Sequence, residues 1–196
     1  LDLSFVLMET RQTPMHVAGL QTFVPPPDAP RDFARQLFEY LRGFPVTAAP
    51  FTYRLRNLGL GSLLPAFEVV DKVDLDYHLR HSALRYPGGE RELGVLVSRL
   101  HSNPMDMDRP LWEVYLVEGL ADGRFAIITK THQAMVDGVT TIDIGQVLLD
   151  PTPEPREAPD QLWMPRPEPS DVRLVVDAVA EAVARPGQVV DIVRAT

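Results

Sequence analysis

The chain has 196 residues, a formal net charge of −8 and a sequence pI near 5.1, an acidic balance that argues against a nucleic-acid partner, since that needs a basic face. The absence of cysteine excludes disulfides, thiolate metal sites and thiol nucleophiles. An apolar fraction of 45% with 23% charged residues is ordinary for a globular protein with one medium core, no apolar run reaches the roughly 18 residues that a membrane span needs, and residues 1–10 lack the basic-then-apolar pattern of a signal peptide, so a soluble, cytoplasmic protein is expected.

Residues 15–24 (MHVAGLQTFV) read as a strand stopped by Pro25, Pro26 and Pro27. Residues 32–42 place Phe33, Leu37, Tyr40 and Leu41 on one side of an amphipathic helix. Residues 51–55 and 66–70 are weaker strand candidates around a loop rich in glycine, and residues 81–86 are another. Pro87-Gly88-Gly89 introduces a helix over residues 90–101, with Leu93, Leu96, Val97 and Leu100 as its buried stripe. Residues 111–118 and 124–131 are two apolar strands, and the Asp122-Gly123 pair between them predicts an antiparallel hairpin. A last helix is expected over residues 138–149. Strands and helices interleave, which predicts a mixed sheet covered by helices.

Beyond this point the composition changes. Pro151, Pro153, Pro155, Pro159, Pro165, Pro167 and Pro169 forbid helix or central strand and predict an extended linker. Val172, Val175, Val176, Val179 and Val183 then recur at helical spacing before Pro186-Gly187. The expected organisation is a domain over residues 1–150, a linker over 151–170 and a helical segment over 171–196. A lone amphipathic helix has nothing of its own to pack against, so the architecture is expected to continue beyond it.

The chemically informative stretch is Lys130 to Gly138, KTHQAMVDG. A histidine at the end of a strand can take a proton from a hydroxyl, because its pKa of about 6.5 lies near physiological pH. Asp137 could equally cap a helix or pair with a buried Arg, so spacing alone leaves His132 between a base and an ordinary strand end. The other histidines are scattered: His16, His78, His81 and His101 read as structural, and the segment around His78 and His81 does not read as a helix. Trp112 alternates with Val114 and Leu116 and reads as a core aromatic. Asp106 and Asp108 read as turn formers.

His132-Gln133-Ala134-Met135-Val136-Asp137-Gly138 resembles the HHxxxDG motif of the coenzyme A-dependent acyltransferase superfamily. Three further stretches resemble one branch of it, the bacterial wax ester synthase/diacylglycerol acyltransferases. These are Thr13-Pro14-Met15-His16, Asp74-Leu75-Asp76-Tyr77-His78-Leu79-Arg80-His81, and Arg109-Pro110-Leu111-Trp112-Glu113 followed by Glu118-Gly119-Leu120. The resemblance implies a chloramphenicol acetyltransferase-like α/β sandwich, one half of a two-half enzyme, with the active site in a tunnel between the halves. It implies acyl-coenzyme A and a lipid alcohol as substrates, no metal or other cofactor, a C-terminal half as partner, and contact with membranes or lipid droplets as an open expectation.

By that resemblance the catalytic positions are His132, Gln133 and Asp137, and Gly138 is a substrate-binding position. The family's base is the second His of the motif, and here that position is Gln133, which can hydrogen-bond a hydroxyl but cannot take its proton. If one strand ran through both residues, His132 and Gln133 would face opposite sides and could not exchange roles. Three readings follow: an O-acyltransferase, weakened or using His132 in an altered geometry; a silent relative that binds acyl chains or acyl-coenzyme A; and a condensation-type enzyme that uses a carrier-protein thioester.

Overall fold

The structure, a computed structural model, describes residues 3–44, 46–47, 49–57 and 65–136. The helices expected over 138–149 and 171–185, the linker, and with them Asp137 and Gly138, lie outside the described residues.

Helix α1 (Ser4–Met8) leads through a tight turn closed by the Thr10 and Thr13 backbones into strand β1 (His16–Phe23). Helix α2 (Phe33–Arg42) follows, and then β2 (Tyr53–Asn57) and β3 (Pro65–Val69) pair as a small antiparallel sheet of their own. A single helical turn, α3 (Leu75–His78), runs directly into β4 (Leu79–Ala83). Helix α4 (Glu90–Ser102) precedes the hairpin of β5 (Trp112–Glu118) and β6 (Phe125–His132). The main sheet has the order β1-β6-β5-β4, antiparallel except for the parallel β4–β5 pair. The sheet is therefore mixed and the hairpin is central, as the alternation of apolar residues along it predicts.

The sheet separates two apolar layers, and the period-2 alternation of β5 and β6 assigns residues to them. Trp112, Val114, Phe125 and Ile127 pack on one side with Leu41 of α2, Phe51 and Leu55. Tyr115, Val117, Ala126 and Ile128 pack on the other against Leu93 and Leu96 of α4. Every residue of β6 is buried, which suits a central strand covered on both faces.

Two glycines set the approach of α4 to the hairpin. Gly88 has φ +69°, and a β-carbon there would lie 2.0 Å from the carbonyl oxygen of Gly119, itself at φ +78°. Only glycine allows that contact and that backbone conformation together. It lets Ala121 N–H donate to Gly88 O at 2.8 Å, fixing the entry of α4 beside the turn after β5. The turn has Asp122 and Gly123 at φ 61° and 70°, the left-handed pair that an Asp-Gly step favours.

Two expectations are corrected. The segment Leu75–His78 is helical for one turn, because Asp74 O accepts from the N–H groups of Tyr77 and His78. The strand expected at 81–86 begins earlier, at Leu79, and ends at Ala83. Its extent is dictated by parallel pairing from Leu79↔Val114 to Ala83↔Glu118, a partner 35 residues away that local pattern does not reveal.

Candidate active site

The motif stretch begins as strand and ends as turn. Strand β6 stops at His132, and Gln133–Met135 form a single 3₁₀ turn. Strand alternation therefore does not extend through Gln133, and its direction is set by the turn. Gln133 N–H donates to Met15 O at 2.8 Å, and Val136 N–H donates to Gln133 O at 3.0 Å. The turn is thus stitched to the residue preceding β1, while the Gln133 side chain is half-buried.

His132 is fully buried. Its Nδ1 accepts the N–H of Ala134 at 3.0 Å, so Nδ1 carries a lone pair and the ring proton sits on Nε2. Nε2 in turn donates to the carboxylate of Glu9. Both ring nitrogens are thereby occupied. A ring held this way has no free lone pair for a substrate hydroxyl.

The α4-facing side of the sheet turns from apolar to polar towards this end. His16 of β1 is the direct cross-strand partner of His132, and Lys130 lies opposite Glu113. His16 Nε2 donates to His101 O at 2.6 Å. Lys130 is 1% exposed, and its ammonium donates to Leu100 O at 3.1 Å and to Asn103 O, 3.8 Å from the Glu113 carboxylate. Glu113 also accepts from Tyr115 Oη at 2.7 Å and faces Arg80 at 3.7 Å. The carbonyls that end α4 are thus met by a buried cation, where the helix dipole favours one. Burial lowers the Lys130 pKa, and the nearby Glu113 opposes this.

On the opposite side, His78 donates from Nδ1 to Trp112 O at 2.7 Å and stacks on the indole at 4.4 Å between centroids. The indole N–H donates to Phe51 O at 2.8 Å. Trp112 is accordingly a core aromatic, as its alternation with Val114 and Leu116 predicts. Arg109 pairs with Asp74 at 2.9 Å and lies 4.1 Å from the Tyr77 ring centroid. Asp106 makes a turn, its carboxylate accepting Asp108 N–H at 3.0 Å.

Sequence reasoning therefore names His132 and Gln133 and misses Glu9 and Lys130. Lys130 had a signal, because strict alternation from Ala126 and Ile128 carries it into the same buried layer. Glu9 had none, being 123 residues from its partner.

Burial holds the rings of His16, His78 and His132 below the ordinary imidazole value; desolvation is the largest cause for each. The largest opposing influences are the His101 carbonyl for His16, the Trp112 carbonyl for His78 and Glu9 for His132. The folded state then binds protons less readily than the unfolded chain. Stability is full above about pH 6.5 and falls as pH drops below it, because the unfolded chain takes up protons first. Urea midpoints are expected to stay level above about pH 7 and to decline between about pH 6.5 and 5. A midpoint unchanged across that interval would contradict this assignment.

The described residues thus define an α/β domain with a mixed four-stranded sheet, whose central hairpin delivers a His-Gln turn at one end. A family model, the wax ester synthase/diacylglycerol acyltransferase catalytic domain, matches residues 1–196. A putative diacylglycerol O-acyltransferase of Mycobacterium bovis is 41% identical over 183 residues, 91% of this chain and 40% of that protein. A probable diacylglycerol O-acyltransferase of Mycobacterium tuberculosis is 38% identical over 186 residues, 95% of this chain and 68% of that protein. The solved wax ester synthase/diacylglycerol acyltransferase of Marinobacter aquaeolei superposes with a TM-score of 0.68 at 38% identity, over 92% of this chain and 43% of that one. The chain belongs to the wax ester synthase/diacylglycerol acyltransferase catalytic-domain family. It spans about 40% of the length of the first of these relatives. Among the described residues no helix is long and apolar enough to cross a membrane.

Proposed function

We propose that the full-length protein containing this chain transfers a fatty acyl group from acyl-coenzyme A to diacylglycerol or a long-chain alcohol. The observation that carries this reading is membership of the catalytic-domain family across the chain. In the reaction the alcohol oxygen attacks the thioester carbonyl, the C–S bond breaks, and the alcohol's proton ends on the coenzyme A thiol. Gln133 stands where the family's base stands. Its amide can orient the hydroxyl but cannot accept the proton, and His132 has both ring nitrogens engaged. The reading is therefore a transferase slowed at proton transfer, with Asp137 and Gly138 as the remaining motif residues and the active site closed by a C-terminal half. Support for that second half comes from β1, which lies at the edge of the sheet formed by the described residues and leaves Val17 and Leu20 exposed. Work at the surface of membranes or lipid droplets fits water-insoluble products and belongs to the same proposal.

The test uses full-length protein with labelled palmitoyl-coenzyme A and, separately, diacylglycerol and hexadecanol. Slow formation of labelled triacylglycerol or wax ester is expected. Saturable binding of palmitoyl-coenzyme A with no product from either alcohol would instead establish a silent acyl-coenzyme A-binding relative.

A further inference from the structure

We propose that Glu9 is a positioning residue for the turn that presents position 133, acting through the tautomer of His132. The kinetic part rests on the transferase reading above; the tautomer itself is a property of the fold. The backbone N–H of Ala134 can only donate. It points at His132 Nδ1 from 3.0 Å, which requires a lone pair there and places the ring proton on Nε2. In a fully buried ring that proton needs an acceptor, and the Glu9 carboxylate supplies it. Without it, the alternative tautomer becomes competitive. That tautomer would set Nδ1–H against Ala134 N–H, donor against donor, at the second residue of the turn.

The Glu9 side chain is well placed to hold the ring. It is 12% exposed, and it lies between α1, which packs against the turn of Gln133–Met135, and the tight turn that Thr13 N–H closes onto Thr10 O at 3.1 Å. The turn carrying Gln133 is held by the N–H groups of Gln133, Ala134 and Val136. The first and last bond to backbone carbonyls and are indifferent to Glu9. Only the Ala134 bond depends on the tautomer. Glu9 and His132 do not form a base of their own, because the lone pair such a base would use is already taken by Ala134.

The experiment uses full-length protein with ¹⁵N-labelled histidine, reading the His132 ring by long-range ¹H–¹⁵N spectra alongside transfer kinetics. In the parent, Nε2 is expected to be protonated and Nδ1 not. Glu9→Gln, whose amide oxygen can still accept from Nε2–H, is expected to keep that tautomer and a kcat near the parent's. Glu9→Met keeps the volume and removes the acceptor. It is expected to lose the single tautomer and to lower kcat by about 10- to 100-fold with KM little changed, the signature of a misplaced group. In a His132→Asn background the loss should largely vanish, since the Asn oxygen can accept Ala134 N–H with no tautomer to choose. Retention of the parent tautomer and kcat in Glu9→Met overturns the proposal. An equal loss in both backgrounds overturns it too, since that marks Glu9 as general packing. If Glu9→Met alone does not fold, restored folding in the His132→Asn background supports the proposal and continued failure refutes it. If no alcohol yields product, the transferase reading fails while the ring spectra still decide the tautomer.

Discussion

Gln133→His is expected to raise the turnover of the full-length protein by about 10²–10⁴-fold, the contribution of a positioned general base. The substitution puts an imidazole at the first residue of a turn whose backbone is held independently of that side chain, by Met15 O on one side and Val136 N–H on the other. The turn should therefore accept it without rearrangement. The pH profile should change with it: the variant gains a limb near the imidazole pKa that the parent lacks, because only the variant has a base there to protonate. His132→Asn is the matching control. It retains an acceptor for Ala134 N–H but cannot carry a proton, so it should lower turnover by less than about tenfold, well short of the loss of a base. If His132→Asn abolishes transfer and Gln133→His brings no gain, His132 is the base after all. Radiolabelled product formation under saturating palmitoyl-coenzyme A distinguishes these outcomes directly.

Lys130→Met is expected to destabilise the fold by about 3–5 kcal/mol, the range for removing one partner of a buried ion pair. Lys130 is 1% exposed, so little solvent screens its loss. Methionine fills similar volume, so the effect isolates the charge and its hydrogen bonds from packing. Three groups lose a partner at once: the Glu113 carboxylate, 3.8 Å away, and the carbonyls of Leu100 and Asn103 at the end of α4. Glu113 keeps Tyr115 and Arg80, which limits the cost on that side. The measurement is the urea midpoint, with an unchanged m-value indicating that stability and not denatured-state compactness has moved. In the double variant Lys130→Met with Glu113→Gln, part of the loss should return, since an uncharged amide tolerates the buried site better than an unpaired carboxylate. A Lys130→Met protein within about 1 kcal/mol of the parent would mean that the buried network does not anchor α4.

The four family-like segments, far apart in the chain, meet in space, and their contacts show why each has its composition. The opening Thr13–His16 segment leads into β1, which pairs along the whole of β6 and sets His16 against His132. The segment Asp74 to His81 lies against Arg109 to Glu113: Asp74 with Arg109, Tyr77 under the Arg109 guanidinium, His78 on Trp112, and Arg80 facing Glu113. His16, His78 and Glu113 are buried and Arg80 half-buried, and each is hydrogen-bonded or ion-paired there, where an unpaired group would be costly; Asp74 and Arg109 pair at the surface.

Much of the architecture was decided locally. Apolar period along residues 90–101 and 111–131, the Asp-Gly turn and the Pro87-Gly88-Gly89 break suffice for α4, the central hairpin and the two-layer packing. These are short-range patterns, and burial of one face enforces them in any context. The sequence likewise placed a glutamine where the family's base is expected, because the motif is contiguous. What it could not determine depended on partners distant in the chain. The start of β4 is set by a parallel neighbour, and α3 is a single turn too short to leave a helical period. The end of β6 at His132, which frees Gln133 from strand alternation, is set by the turn's bonds to Met15 and within itself. Above all, the state of His132 is decided by Glu9, through a hydrogen bond that closes 123 residues of chain. Local sequence encodes the imidazole; only the tertiary structure decides which of its nitrogens holds the proton.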